Sequence, residues 1–334
     1  YFQIQSSQQA MHRLKNTSCI SLLLSTVVLL WGCRKDVREF IPYLPVLENL
    51  DQLLQQAPDP TTRTIFQFNS SVPDTTLSAT SGVRVFLADT EHLFADAAGT
   101  PVPCSTCPSL KIEVTTVLRK GDFVSRNLPT ATHPDSKMLE SAGAVHVQAI
   151  CGSKILQLLP NRYLKVQIPA ENPSTGMSVF TGELDNKGHV IGWAGTNATA
   201  FLAQWISAIS GMQQTGYEII VPHTGWSNCA RPLLQQSSSF CVSLPEQFTA
   251  LNARVYLVFF FFNAVAELQG NDQNSEFCFP EAPLGYPANV VVVGKTGGQY
   301  WLGNLFTEIG TNVQVPVLPI PIQEQDLIAF LKNL

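Results

Sequence analysis

Short runs in which apolar and polar residues alternate recur along the chain from Thr64 onward. Alternation sends one set of side chains to a buried face and the other to solvent, which is typical of β-strands. Turn-forming pairs such as Gly121-Asp122 and Pro160-Asn161 separate the runs. Many short strands at this spacing predict a sandwich or a barrel. The runs of the first half are Thr64–Phe68, Gly82–Leu87, Leu110–Leu118, Ala144–Ile150 and Tyr163–Ile168.

The second half continues the β pattern, with strands predicted at Val190–Trp193 and Tyr217–Val221. The apolar run Val255–Phe262 is too short to span a membrane and is rich in β-formers, so we predict a central strand buried on both faces. Asn289–Val293 and Gln299–Leu302 flank a glycine-containing turn and predict a hairpin.

Three segments depart from simple alternation. Phe201, Leu202, Trp205, Ile206 and Ile209 recur at helical spacing and predict a short helix over Thr199–Ser210. Proline interrupts 313–322, which predicts an edge strand or an extended linker. The apolar spacing of Glu324–Leu334 predicts a short terminal helix.

The start of the chain has the features of a secretory signal rather than of a strand. A basic stretch, Met11–Lys15, precedes the apolar run Cys19–Trp31, which is within the usual length for a signal and too short for a spanning helix. Leu30-Trp31-Gly32-Cys33 resembles the lipobox of bacterial lipoproteins, which implies cleavage before Cys33 and attachment of lipid there. A buried apolar helix is the alternative. Tyr1–Ala10 precedes the plausible start Met11 and is excluded from fold reasoning.

These patterns predict an all-β fold class: two packed β-sandwich domains after a lipoprotein signal and a tether, with a short C-terminal helix. The expected divisions are a signal peptide at 11–32, a proline-rich tether at 33–60, a β-sandwich domain at 61–170, a second β-rich domain at 171–321 and the helix at 322–334.

Composition narrows the class of protein. Only 13% of the 334 residues are charged, whereas globular proteins average about 25%. Together with 22 prolines and 19 phenylalanines, this favours a secreted β-protein. A net charge of −5 gives no reason to expect nucleic acid as a partner, because nucleic acid binds a clustered basic face.

The cysteines predict disulfides. Without Cys19 in the signal and Cys33 at the lipid site, six of the 8 cysteines remain, an even number that reads as disulfide bonds in an exported chain. Three fall in each half, so either one bridge crosses between the halves or each half keeps a free thiol. The candidates are Cys104, Cys107, Cys151, Cys229, Cys241 and Cys278.

Cys104-Ser105-Thr106-Cys107 is the sharpest local motif. Prolines flank it between two strands, whereas a redox dithiol needs a helix start and a zinc site needs four ligands. We therefore favour a Cys104–Cys107 loop disulfide. A bridge to Cys151 or elsewhere is the second interpretation, and a metal or redox site the third.

Other chemistry is weakly indicated, and we predict no catalytic, cofactor-binding or metal-binding residues. His223 lies six residues before Cys229, but an oxidised cysteine cannot act as a nucleophile. The acidic residues scattered through the loops are better interpreted as solvated side chains than as ligands of a calcium ion. Four tryptophans could stack on sugar rings, although buried aromatic anchors are the favoured interpretation. These are Trp193, Trp205, Trp226 and Trp301.

Four groups of segments occur in a recognisable order over roughly residues 60–300: Gly82–Val102, Leu110–Leu118 with Lys120–Phe123 and Leu128–Thr130, Leu139–Ile150 and Gly225–Cys229. This order resembles a known module. It is similar to the ZU-type β-sandwich of ankyrins and netrin receptors, and more closely to its relatives in exported lipoproteins of Bacteroidetes-type bacteria. The resemblance implies a β-sandwich interaction module without known catalytic residues. In those relatives an acidic residue often follows the segment that matches Gly225–Cys229. Here Ala230 follows it, so the resemblance implies no acid or metal role.

The expected function is a lipid-anchored, non-catalytic binding or structural protein of the cell envelope. The membrane, through the lipid on Cys33, is the expected partner, with an envelope protein or a glycan as a possible second one. The alternative is a carbohydrate-binding or carbohydrate-degrading component of an outer-membrane nutrient-uptake system. The expected location is the outer membrane, on its surface or periplasmic face.

Overall fold

The computed structural model describes Leu50, Ala57, residues 62–68 and residues 74–334. This part of the chain is all-β, with three hydrogen-bonded sheets and a short helix near its carboxyl end. It confirms that the fold class is all-β. The predicted signal peptide at 11–32 and the predicted lipidation residue Cys33 lie outside the described residues.

The first sheet has eight strands, in the order β1-β5-β6-β13-β9-β10, and β7 and β4 extend it beside β6. Its pairs are antiparallel, and β5 and β6 align Leu110 with Cys151 and Val114 with Val147. The strands are β1 (Arg63–Phe68), β4 (Phe94–Ala95), β5 (Leu110–Val117), β6 (Leu139–Cys151), β7 (Lys154–Leu158), β9 (Ser178–Leu184), β10 (Val190–Thr199) and β13 (Gly225–Pro232).

The second sheet has five strands in the order β11-β12-β8-β3-β2 and packs against the first. Alternation explains the packing, because every second residue of each strand enters a shared core. Ile112 and Val147 of the first sheet and Val166 and Ile219 of the second lie in this sandwich core. The strands are β2 (Thr75–Ser78), β3 (Arg84–Leu87), β8 (Leu164–Pro169), β11 (Phe201–Ile206) and β12 (Gln213–Val221).

The third sheet has eight strands in the order β20-β14-β17-β16-β15-β18-β19-β21. Its two edge strands are consecutive in the chain, so the few residues between them, which reach at most about 14 Å, bring the two edges together. The sheet therefore curls around its own barrel core. The strands are β14 (Ser237–Ser243), β15 (Ala253–Phe259), β16 (Val265–Gly270), β17 (Glu276–Pro283), β18 (Pro287–Thr296), β19 (Gln299–Glu308), β20 (Val313–Pro316) and β21 (Ile320–Ile322).

A third core, the middle core, lies between the outer face of the first sheet and the outer face of the barrel. Two helices contribute to it: α1 (Lys120–Ser125) and α2 (Glu324–Lys332). Acidic residues in the first turn of α2 and Lys332 in its last turn suit the helix dipole. Leu327 and Leu331, four residues apart, bury one face of α2 in the middle core.

The β15 strand shows why its sequence is apolar throughout. Tyr256 and Val258 face the middle core, while Val255, Leu257 and Phe259 face the barrel core. The prediction of a central strand buried on both faces is confirmed for Ala253–Phe259. The strand ends there, and the last three phenylalanines of the predicted run lie in the turn that follows.

Three other predicted elements agree with the structure. Gly297 and Gly298 have φ values of 58° and 78° and form the two-residue turn between β18 and β19, a backbone shape that favours glycine. The proline-interrupted segment forms the edge strands β20 and β21. The terminal helix is α2.

The helix predicted over Thr199–Ser210 is wrong. Residues 201–206 form β11, which pairs with β12 in an antiparallel hairpin. Its apolar spacing fits both structures, because Leu202 and Ile206 lie on one face of a strand and Phe201 and Trp205 on the other. The apolar spacing of β11 alone does not distinguish a helix from a strand. Its hydrogen bonding to β12 decides the outcome.

The expected boundary between residues 170 and 171 differs from the sheet topology. Strands β9, β10 and β13, from the expected second domain, belong to the first sheet, and β12 pairs with β8. The change from one hydrogen-bonded system to the next falls between Pro232 and Ser237. The described residues from 74 onward belong to one compact unit.

Two residues of the expected tether, Leu50 and Ala57, are buried in the middle core. At these two positions the 33–60 segment therefore contacts the folded body instead of standing clear of it. The remainder of that segment lies outside the described residues.

Candidate functional site

A β-bulge shapes a polar cleft beside the sandwich core. Strand β13 pairs Cys229 with Gly143 and Ala230 with Ser141, so Ala142 is an extra residue in β6. Gly143 has a φ of 147°, and a Cβ there would lie 2.6 Å from the Leu118 Cδ2 atom. The bulge thus needs glycine, and Ser141 beside it is one of the residues that line the cleft.

The cleft has a volume of about 400 Å³, and Arg119, Glu140, Ser141 and Tyr217 are among its lining residues. One wall is held by the Tyr217 hydroxyl, which accepts from the Ser174 N–H at 2.6 Å and donates to the Ser174 carbonyl at 2.9 Å. Glu171 and Asn172 also line the cleft. The arrangement offers hydrogen-bonding groups of both signs to a small polar ligand.

An ion pair fixes one carboxylate of this cleft. Both Arg231 Nε and Arg231 Nη2 lie 2.7 Å from Glu140 Oε2. Arg231 Nη1 also donates to the Thr175 carbonyl at 3.2 Å. Because Glu140 is held by a guanidinium group, its carboxylate is positioned as a structural support for the cleft.

A buried polar network connects the bulge to the barrel. Ser141 Oγ donates to Asn228 Oδ1 at 2.6 Å, and Asn263 Nδ2 donates to the carbonyls of Leu118 and Ser141 at 2.9 and 3.0 Å. Asn228 Nδ2 and Asn263 Oδ1 are buried and have no hydrogen-bond partner in the structure. Buried polar atoms of this kind are usual sites for internal water.

A cluster of exposed aromatic rings, here called the Phe cluster, consists of Phe260, Phe261 and Phe306. Their side chains are 59%, 70% and 63% exposed. Phe260 packs edge-to-face on Phe261 at 5.3 Å and on Phe306 at 6.3 Å between ring centroids. The prediction of a buried run missed these rings, because the strand ends at Phe259 and the turn carries them to solvent.

Two main-chain contacts hold the Phe cluster in place. The Phe260 N–H donates to the Pro287 carbonyl at 3.0 Å. Lys120 Nζ donates to the Phe260 carbonyl at 2.7 Å, and burial lowers the pKa of this lysine. Since Lys120 belongs to α1, the aromatic turn is fixed to the layer that joins the sandwich to the barrel.

A second apolar surface is the hairpin formed by β11 and β12. Leu202 and Ile206 lie on the face that continues the sandwich core, yet they are largely exposed, as are Ile209 and Met212 in the connecting turn. The same apolar spacing that suggested a helix is thus the signal of an uncovered sheet face. Apolar residues grouped in this way mark binding surfaces.

The structure forms two disulfides from the six candidate cysteines. Cys107 bonds to Cys151, and Cys241 bonds to Cys278. This corrects the favoured Cys104–Cys107 loop disulfide and agrees with the second interpretation, because the β5–β6 register brings Cys151 beside the end of the Cys107 loop.

Among the described residues, Cys104 and Cys229 keep free thiols, so each half of the chain keeps one. Both are buried. Burial raises the pKa of Cys104 to about 11 and that of Cys229 to about 12. A thiol that stays protonated is a poor nucleophile. These two cysteines therefore act as small core residues.

The other chemical candidates are separated by the fold. His223 Nε2 lies 2.9 Å from the Thr181 hydroxyl, and its Nδ1 lies 3.1 Å from the Thr224 carbonyl. It is thus engaged away from Cys229. The group Cys241, Glu276 and Cys278 has metal-ligand spacing, but its two sulfurs are bonded to each other, and the thiolate is the metal-binding form.

The tryptophans serve mainly as packing anchors. Trp193 and Trp205 are buried, and the half-buried Trp226 packs on His146 at 5.0 Å between ring centroids. Burial lowers the pKa of that histidine. The half-buried Trp301 packs edge-to-face on Phe248. The favoured interpretation of buried anchors thus describes Trp193 and Trp205, and the exposed rings are phenylalanines.

A half-buried acid lies at the junction between sandwich and barrel. Burial raises the pKa of Glu267, and Arg254 Nε lies 3.8 Å from its carboxylate. Beside it, the buried Tyr256 hydroxyl donates to Asn127 Oδ1 at 2.7 Å. These contacts connect the barrel to the end of α1, so the group is structural.

Among the described residues, none of the helices is long and apolar enough to span a membrane. Neither a protein-family model nor a curated protein nor a solved structure matches this chain. The resemblance to the ZU-type sandwich therefore stays a prediction.

Proposed function

We propose that the protein is a lipid-anchored, non-catalytic binding or structural component of the cell envelope, held at the outer membrane through Cys33. The lipobox supports the anchor. The two disulfides fit an exported chain. The observation that carries the binding role is the Phe cluster.

The Phe cluster fits a protein partner for energetic reasons. Burying a large apolar side chain contributes about 1.5–3 kcal/mol, and aromatic anchors dominate many interfaces. The turn is already fixed by Lys120 and by the Pro287 carbonyl. The Phe cluster is therefore a preorganised surface, and it loses little conformational freedom when a partner binds. The proposed partner is another envelope protein with an apolar patch.

Photo-crosslinking in intact cells tests this proposal. A photoreactive amino acid placed at Phe261 should give one discrete protein adduct. The double change Phe260→Ala with Phe306→Ala should lower its yield by about thirtyfold or more, because one hot-spot side chain contributes about 2 kcal/mol or more.

Leu234 is the matched control, since it is 91% exposed and lies in a loop outside the Phe cluster. The same photoreactive group there should give no such adduct. Equal adducts at both positions, or an adduct that survives the double change, would count against the proposal. So would a hydrolase activity that one point mutation abolishes.

A carbohydrate-binding role in nutrient uptake is the second candidate, and the polar cleft favours it. Saccharides offer hydroxyl groups that both donate and accept, and the cleft presents Arg119, Glu171 and Asn172 to such groups. A glycan array should then show selective binding. Glu171→Gln with Asn172→Ala should weaken that binding about tenfold.

Asp135→Asn, a change to an exposed acid outside the cleft, is the control for the glycan array and should leave binding unchanged. An array without hits, or equal losses in the cleft variant and the control, would remove this candidate.

A further inference from the structure

The turn between β11 and β12, residues 207–212, presents an apolar tip. Ile206, Ile209 and Met212 are 62%, 61% and 69% exposed. They project from the end of a hairpin whose edge strand, β11, has a neighbour on one side only in its sheet. Apolar side chains gathered at the end of a projecting hairpin are positioned to enter an apolar phase.

Five of the six backbone N–H groups of residues 207–212 donate to acceptors within the tip. Ser207 and Gly211 donate their N–H groups to the carbonyls of Met212 and Ser207, both at 2.9 Å. The N–H groups of Ile209 and Ser210 donate to Ser207 Oγ at 3.3 Å, and that of Met212 donates to Ser210 Oγ at 3.4 Å. Backbone groups paired in this way lose little when water is removed, and entry into lipid requires this.

The hairpin also lacks charge over a long stretch. From Val190 to Tyr217 the chain contains no Asp, Glu, Lys, Arg or His. Six residues of strand, about 20 Å, separate Met212 from Glu218. An acid from another element, Glu171, shares a cleft with Gln213–Thr215. The uncharged surface that can leave water is therefore the tip, and the base of the hairpin is polar.

We propose that the tip, residues 206–212, inserts into the interface of a lipid bilayer as a second membrane contact. This inference rests on the proposed lipid anchor at Cys33, which would hold the body of the protein close to the bilayer. Two membrane contacts are stronger than one and set the orientation of the body. A partner strand would instead pair with β11, and it would leave Ile209 and Met212 in water.

Environment-sensitive fluorescence tests the insertion. The full lipidated chain carries Ile209→Cys labelled with a nitrobenzoxadiazole dye and is mixed with vesicles of phosphatidylethanolamine and phosphatidylglycerol. We expect the fluorescence to rise about threefold on binding, with quenching by lipids that carry a nitroxide on the acyl chain. The parent chain gives the background, because the buried Cys104 and Cys229 resist labelling.

Leu234→Cys is the matched control, since it is the more exposed apolar position and lies in another loop. Its dye should stay in water. Vesicle flotation of the same samples reports the anchor separately. If the chain floats and the dye at 209 stays dim, the insertion is overturned while the anchor stands, and a protein partner becomes the occupant of the hairpin. If the chain does not float and the dye stays dim, both are overturned. An equal rise at 209 and 234 would reflect adsorption of the dye and would also overturn the insertion.

Discussion

Replacing Trp193 with alanine should lower the free energy of unfolding by about 4 kcal/mol, the loss typical of a fully buried tryptophan. Trp193 has no exposed surface and lies in the middle core. Its indole N–H donates to the Pro129 carbonyl at 2.7 Å. Alanine would leave a cavity and a buried carbonyl without its donor.

The position of Trp193 makes the effect reach beyond its own strand. The backbone N–H of Trp193 donates to the Ala131 carbonyl. Thr130, in the same loop as Ala131, exchanges hydrogen bonds with Val265 of β16. The loop that Trp193 supports therefore ties the first sheet to the barrel. Loss of the side chain should loosen that junction as well as the core.

Urea unfolding followed by tryptophan fluorescence and by circular dichroism measures both effects. Trp193→Phe keeps an aromatic ring but loses the N–H donor, so its loss should be smaller than that of alanine. Trp226→Ala is the matched control, because this tryptophan is only half-buried. A Trp193→Ala loss no larger than that of Trp226→Ala would contradict the assignment of Trp193 as the central anchor.

Local pattern was enough to predict strands and their turns. The β18–β19 hairpin and α2 could be predicted because each is decided by a few neighbouring residues, such as Gly297 and Gly298. The hairpin of β11 could not, because its apolar spacing satisfies a helix and a strand equally well. Only pairing with Gln213–Val221 decides between them.

The expected boundary at 170 to 171 does not follow the sheet topology, for a related reason. Read along the sequence, the alternating strands of 178–232 resemble the start of a new domain. In the fold, however, they pair with the earlier strands β6 and β8. Pairing between strands distant in sequence is not encoded in the alternation of either strand.

The candidate sites were the least accessible to sequence reasoning. The polar cleft depends on one extra residue in β6 and on a loop that Tyr217 holds from another sheet. The Phe cluster depends on where β15 ends. A run of consecutive phenylalanines does hint that some rings must leave the core, since a strand alternates its faces. Only the fold decides which ones.

Removing the disulfide of Cys107 and Cys151 by changing both to serine should lower the free energy of unfolding by about 4 kcal/mol. The bond closes a loop of sequence separation 44. A cross-link of this length restricts the unfolded chain, and its loss lets the unfolded state gain entropy. The native register of β5 and β6 should persist, because eight residue pairs hold it independently.

The free thiols sharpen this experiment. In the native protein, iodoacetamide at pH 8 should leave Cys104 and Cys229 unmodified, because burial keeps their pKa at about 11 and about 12.

In Cys151→Ser, Cys107 loses its partner, and the only cysteine within its own loop is Cys104. A Cys104–Cys107 bond closes a loop of three residues, so it restricts the unfolded chain far less than the native bond. The single variant should therefore be nearly as unstable as the double variant, even where mass spectrometry of peptides detects the new bond. A single variant as stable as the native protein would mean that the 44-residue loop contributes little, and that the short bond first expected from the sequence suffices.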